Sequence, residues 1–586
     1  MKKQKLFSSS VLLVVLLTLS CTMSGDYLDE ISNKISSDEN PYLTDGIFEQ
    51  SIILTITEAG PDVISLTWTE PDDDDFSHVE ISWSPGPDEP AVIEKGSNTF
   101  DLPAGGEGVV YEINGVAVAL NGDSSEGSVI SIRTPSYQRS VSCIYTAEEL
   151  LAINDNTETL QGFYILRNDL SLSGYSSGEG WISIGSNTTP FYGVFDGNGH
   201  TISDMVINRT TQHVGFFGSA VSAYIENVTL ESVDVTGQNQ AGGLIGSTAA
   251  GTIVRNVEVS GSISGISEIG GIAGDFSEAF IYDSRSFVNV SGTDRVGAFF
   301  GKSQASTAES CSASGTVSGT SDLGGFGGLL DSLDIDNCTA SVNVTGTGAQ
   351  IGGFAGTLAS SDLLEVAVDG NIQGDGNVGG FAGYITQTSL SRCSATGTAT
   401  GSANYTGGFV GGLYDSQIVE CWATGDVNGV NGVGGFAGNH EVTSSGAVTR
   451  AFATGNVSGS DSVGGFAGDS NTASYTDCFA RGNVTGTNNY GGFVGNNNGS
   501  AFTRSYSAGN SGGNGFHGTY VATDSYTDCF HDSTTSGNTV SDEGTLPLTT
   551  LEMKNSSSFP TWDFTNTWTI DPSVNWGYPH LQGMAP

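Results

Sequence analysis

Gly379-Gly380-Phe381-Ala382-Gly383 is followed by Gly407-Gly408-Phe409-Val410-Gly411 and then by Gly434-Gly435-Phe436-Ala437-Gly438. The core of this motif, Gly-(Phe, Leu or Ile)-x-Gly, recurs at near-regular spacing eleven times, with its last glycine at 218, 246, 274, 301, 328, 356, 383, 411, 438, 468 and 495. Successive differences are 28, 28, 27, 27, 28, 27, 28, 27, 30 and 27 residues. A period of this length marks an array of stacked repeats. The large apolar position is Phe216, Leu244, Ile272, Phe299, Phe326, Phe354, Phe381, Phe409, Phe436, Phe466 and Phe493. The glycine before it is kept in every copy but one, where Ala298 stands.

A second column lies 17 or 18 residues before each closing glycine: Val228, Val257, Ser284, Cys311, Cys338, Val366, Cys393, Cys421, Ala451 and Cys478. One column always large and another always small is what coils stacked in register require, because each side chain sits over its counterpart one strand spacing away. Glycines beside the large residue suit a backbone turn where a Cβ would clash. The predicted fold is therefore all-β, a parallel β-helix of about eleven 27–28-residue coils over residues 215–515. At about 4.8 Å per coil the rod is roughly 50 Å long. Residues 140–214 read as an N-terminal cap and opening coils, and 516–586 as C-terminal coils and cap. Thr146 followed by Glu149 is a capping box, so a short helix is expected as a lid over the first coil.

Upstream, Val63-Ile64-Ser65-Leu66-Thr67-Trp68 and Val79-Glu80-Ile81-Ser82-Trp83 alternate as strands do. Residues 50–135 read as a separate β-sandwich. Leu66 and Trp68 before Glu70-Pro71, then Leu102, Tyr111 and Val116 to Ala119, resemble a fibronectin type III domain, which implies Trp68 as core tryptophan and Tyr111 as corner tyrosine. The acidic run Asp72 to Asp75 is read as a solvated turn, since no EF-hand spacing accompanies it.

The chain has 64 Asp and Glu against 18 Lys and Arg, a formal net charge of −46. Such a surface repels phosphate backbones and has few cations to release counterions, so no nucleic-acid partner is expected. The same acidity keeps an exposed surface soluble. With 84 Gly and 14 Pro, the composition suits repeated tight turns, and the 37% hydrophobic fraction is enough to fill a core.

The N-terminus reads as an address. Lys2, Lys3 and Lys5 precede an apolar run from Val11 to Leu19 that is too short to span a bilayer, and Ser20-Cys21 ends it. It resembles a bacterial lipoprotein signal over residues 1–21. The resemblance implies lipidation of Cys21, with residues 22–49 as a polar tether and the membrane as a partner through the lipid. An ordinary secretory signal is the alternative.

The repeat itself resembles the GLUG motif of bacterial surface proteins. Trp181-Ile182-Ser183-Ile184-Gly185 and Phe195-Asp196-Gly197-Asn198-Gly199 look like that family's opening coils, and Asn575-Trp576-Gly577-Tyr578-Pro579 like its closing segment. The resemblance implies an adhesin-like β-helical surface protein, at the cell surface or outer membrane, without shared catalytic residues.

The cysteine column also holds Val, Ala and Ser, which favours free buried thiols over bridges. No Cys-x-x-Cys or Cys and His cluster points to a metal, and no cofactor motif is present. The seven histidines are scattered, no nucleophile elbow is read, and Gly-x-x-x-x-Gly-Lys does not occur. No catalytic residue is assigned. The expected function is non-enzymatic binding of an extracellular glycan or protein. The alternatives are a polysaccharide hydrolase or lyase, since Asp and Glu abound for a carboxylate pair, and a plain structural spacer. If Cys21 is the anchor, the protein partitions into detergent and incorporates labelled fatty acid, and Cys21→Ala abolishes both; a wild-type protein that stays in the aqueous phase excludes the anchor.

Overall fold

The computed structural model describes residues 54–584 apart from 60–62, 69, 72–75, 88–89, 105–109, 121–123, 126–127, 134–140 and 542–543. Cys21, the tether at 22–49 and the Asp72–Asp75 run lie outside the described residues. The chain divides into two units, Met1–Val141 and Ser142–Pro586.

The first unit has two antiparallel sheets. Thr55–Ala59, Val63–Thr67 and Thr99–Pro103 form one, and Ala91–Glu94, Phe76–Ser84, Val110–Ala119 and Ser128–Arg133 the other. Strand alternation sends Ile64, Leu66, Val79 and Ile81 inward, where they share one core with Trp68, Leu102 and Tyr111. Both aromatic residues singled out in the sequence are thus core residues.

The second unit is a parallel β-solenoid. Its coils contribute strands to three faces. The strand that begins at the third residue of each motif, from Phe217–Val221 to His517–Thr519, belongs to a twelve-stranded face. The strand before it, from Asn239–Gly242 to Asn488–Gly491, belongs to a ten-stranded face. On the long third face, thirteen successive parallel pairings join fourteen strands, from Phe163–Leu166 to Ser525–Thr527. The solenoid thus has about fourteen turns: the repeats counted in the sequence, together with the opening and closing coils.

All eleven large residues of the motif column are fully buried. Their rings stack, with centroids 4.6 Å apart for Phe381 and Phe409, 4.7 Å for Phe409 and Phe436, and 4.8 Å for Phe436 and Phe466. Phe516 continues the stack 4.7 Å beyond Phe493. Its motif, Gly515-Phe516-His517-Gly518, comes only 23 residues after the previous one, off the regular period. The glycines are demanded by crowding. A Cβ on Gly380 would lie 2.0 Å from the Gly408 carbonyl oxygen, and one on Gly383 would lie 2.4 Å from the Ile351 nitrogen.

The corners have their own chemistry. Asn227, Asn256, Asp283, Ser310, Asn337, Glu365, Arg392, Glu420, Arg450, Asp477, Arg504 and Asp528 all take left-handed φ between 46° and 56°. Each such turn costs a side-chain-bearing residue roughly 1 kcal/mol. The next residue helps to hold it: Cys311 donates its thiol hydrogen to the Glu309 carbonyl at 3.2 Å, and Cys338 to Asp336 at 3.3 Å. Ser284 makes the same bond to Tyr282 at 2.8 Å. The cysteines are free thiols; the column selects a small residue that is often also a donor.

The lid is present. Helix Ala147–Leu151 has a complete capping box on Thr146 and Glu149, and Leu150 and Ile153 enter the solenoid core. At the other end, Phe452, Phe479, Tyr506 and Phe530 form a column on the outside of the long face, pairing rung on rung. Residues from Met553 to Met584, including Phe559, Trp562, Trp568 and Tyr578, cover it and complete a second apolar cluster.

Phe381→Asp places an unpaired carboxylate between two rings and should remove roughly 4 kcal/mol or more of local stability, opening neighbouring coils to protease. Deleting the coil 357–383 should be milder, because the flanking coils restack. Limited proteolysis distinguishes them, and a point variant as resistant as wild type would contradict the buried assignment.

Candidate carboxylate-lined face

In each three-residue strand of the long face the middle side chain points inward and the outer two point out, as Phe195, Ile225, Val254 and Ile281 show by their complete burial. Register then stacks the third positions: Asp196 pairs with Glu226, Glu226 with Arg255, Arg255 with Tyr282, Tyr282 with Glu309, and Glu309 with Asp336. The first positions of the same strands place Tyr224, Ile253 and Phe280 alongside. Six chemistry-bearing residues from six coils therefore form one outward column.

The sites differ in solvation. Asp196 accepts from the Asn198 backbone N–H at 2.7 Å and the Asn227 amide at 3.1 Å. Burial nonetheless raises its pKa, against those two hydrogen bonds and the Arg167 charge. Burial, and then the neighbouring Asp196 charge, push Glu226 up to about 7. The Tyr224 hydroxyl donates to Glu226 at 3.2 Å, and burial raises the tyrosine's own pKa. The Arg255 guanidinium lies 5.4 Å from the Tyr282 ring centre. Around the corner, a shallow groove of about 390 Å³ is lined by Asn227, Thr229, Asn256, Glu258, Asp283 and Arg285.

Chemically, Glu226 can give or take a proton near neutrality, beside the Asp196 carboxyl. Glycoside hydrolysis needs two carboxyl groups on opposite sides of one bond; here both sit on consecutive rungs of one face, with Asp196 bound to its own turn. Among the described residues no group of three or more His, Cys, Asp or Glu could hold a metal ion.

The motif-column residues are all core and face no ligand. Sequence reading quoted Asp196 only as part of an opening motif and passed over Glu226. The signal was available in the period: Asp196, Glu226, Arg255, Tyr282, Glu309 and Asp336 are 30, 29, 27, 27 and 27 residues apart.

A family profile described as the GLUG motif matches residues 374–400, the coil that carries Phe381. Halomucin from Haloquadratum walsbyi is 34% identical over 154 residues, covering 24% of this chain and 2% of halomucin. The chain thus spans a small fraction of the curated relative it matches. Among solved structures, the Yersinia enterocolitica family 28 exopolygalacturonase is similar at 10% identity over 77% of this chain and 99% of that one, with a TM-score of 0.23. A fibronectin type III domain of human fibronectin type III domain containing protein 3 is 18% identical over 17% of this chain and 94% of that one, with a TM-score of 0.13. Neither likeness bears on activity.

A carboxyl whose pKa is raised on folding keeps its proton where the unfolded chain has lost it. Its contribution is full below the model-peptide value of 4.5 and is lost as pH rises toward about 7. Over that window the first coils should lose roughly 1–3 kcal/mol, and Glu226→Gln should flatten the profile. Proteolytic protection of residues 194–236 at pH 5 and pH 8 measures it; identical profiles for the two proteins would refute the assignment.

Proposed function

We propose that this chain is an exported surface protein, held to a membrane through a lipid on Cys21, whose solenoid binds an extracellular glycan or protein without transforming it. The tether at 22–49 and the sandwich at 50–135, read as fibronectin type III-like, serve as the stalk. The observation that carries this reading is the polar ladder repeated along the outer surface. Thr398 donates to Asn371 at 2.7 Å, Asn456 to Asp426 at 3.1 Å and Asn496 to Asp469 at 3.0 Å, each across one coil. Such columns present a polar side chain at successive rungs along the axis, so weak contacts to an extended ligand add by multivalency. The GLUG motif on the solenoid supports the same surface role.

One observation favours a second reading. Glu226 exchanges a proton near neutrality on an outer face, as the acid of a polysaccharide hydrolase must, although Asp196 on the next rung does not oppose it across a bond.

The full chain should be incubated with a panel of polysaccharides and matrix proteins while retained ligand and new reducing or unsaturated ends are both measured. Binding without product is expected. Product that disappears in Glu226→Gln would establish the hydrolase, and a panel without binding or product would leave a structural spacer.

A further inference from the structure

Three consecutive residues of the C-terminal segment, Asn575, Trp576 and Gly577, take left-handed φ of 48°, 53° and 82°. For tryptophan this backbone is strained, and such strain persists only where the surroundings impose it. They do so here. The Asn575 side-chain amide donates to the Tyr506 hydroxyl and to the Pro579 carbonyl, both at 2.8 Å, and Tyr506 itself donates to Pro579 at 2.6 Å. The outcome is unusual: Trp562 and Trp568 of the same segment are buried, whereas Trp576 is 72% exposed. Its indole contributes little to the core, so the strain supports a displayed ring.

Cations gather there. Elsewhere in the solenoid Arg209, Arg295, Lys302, Arg392, Arg450 and Arg504 each meet a carboxylate at 2.6–3.5 Å. Arg481 and Lys554 make no such pair among the described residues. The Arg481 guanidinium lies 4.1 Å from the Trp576 ring centre, and the Lys554 ammonium 4.9 Å from that of Tyr578. The Lys554 stem runs beside Gly577, 3.5 Å from where a Cβ would stand. Nearby acids are engaged. Buried Asp532 accepts from Tyr578 at 2.6 Å and Thr550 at 2.7 Å, and Asp571 accepts twice from Ser573 at 2.8 and 2.6 Å. A positive, aromatic spot on a chain of net charge −46 is selective for what that surface otherwise repels.

We infer that Trp576, Arg481 and Lys554 form a binding site for an anionic sugar. The pyranose ring packs on the open indole face, and its carboxylate or sulfate is held by the guanidinium and the ammonium. This rests on the glycan-binding reading above and gives it a place and a charge.

The test is equilibrium binding of the full chain to oligogalacturonate, dextran sulfate and neutral dextran. Wild type should bind at least one anionic probe and not the neutral one, and which of the two binds separates carboxylate from sulfate recognition. Trp576→Ala and Arg481→Gln should each weaken that binding roughly tenfold, while Trp576→Phe retains most of it. Because Trp576 is exposed, the melting curve of Trp576→Ala should match wild type. Unchanged affinity in both variants, equal binding of neutral dextran, or no wild-type binding to any probe would overturn the inference. A ligand found in the wider panel would then leave the general glycan- or protein-binding reading standing, and an empty panel would remove both.

Discussion

Everything in the solenoid depends on one constraint: each residue stands on its counterpart from the coil below, at the spacing of a parallel ladder. The phenylalanine column meets it with near-parallel rings, 4.4 Å apart for Phe299 and Phe326 and 5.4 Å for Phe354 and Phe381. The glycine columns meet it by having no side chain, because carbonyls of the next coil occupy the Cβ positions. At the corners, left-handed residues stack with a small residue after them, often one that ties back the carbonyl on the other side of the turn. Such contacts contribute modestly one at a time, and the period repeats them at every turn.

Stacking is least forgiving for charge, since like charges on neighbouring rungs repel. One corner resolves this by alternation: Glu365, Arg392, Glu420, Arg450, Asp477, Arg504 and Asp528 follow one another coil by coil. Arg392 pairs with Glu365 at 2.7 Å, Arg450 with Glu420 at 2.9 Å and Arg504 with Asp477 at 2.7 Å. The first coils do the opposite, with Asp196 directly beneath Glu226. There the conflict is met by proton retention on Glu226. Like charges also stack at Glu309 and Asp336 and at Asp334 and Asp362; the Asp196–Glu226 rungs are set apart by how far burial moves the Glu226 carboxyl toward neutrality.

The architecture was legible because stacking writes itself into the sequence at the interval of one coil. The motif column, the small column and the Thr146–Glu149 cap could all be found by counting. Phe516 escaped because a coil of 23 residues breaks the count, although its motif is intact. The small column was read as a packing requirement, while its hydrogen bond emerged only when the left-handed turn before it was seen. The outward columns were harder. Surface positions tolerate many residue types, so the period that joins Asp196 to Glu226 carries no constant residue to attract notice. Trp576 was visible as a letter in a closing segment, but its exposure is a three-dimensional fact: Trp562 and Trp568 sit in the same segment and are buried.

The coil of 30 residues shows where the fold accepts change. Its extra length falls after Glu441, at a corner, while the strands on either side keep register, Ala437–Glu441 with Ala467–Asn471 and Ala447–Thr449 with Ser474–Thr476. Asp415 of the previous coil binds the added loop, accepting from the Thr443 and Ser444 backbone N–H groups at 2.7 and 2.9 Å. These bonds hold its carboxyl down at about 2. A corner can therefore lengthen without disturbing the stack, because the ladders on both sides stay aligned and a neighbouring rung supplies the missing partner. The C-terminal segment extends the same logic, since it changes the outer surface of the last coils while the phenylalanine stack beneath runs on unbroken to Phe516. Binding chemistry can thus diversify at corners and over outer columns while the interior stays fixed by stacking.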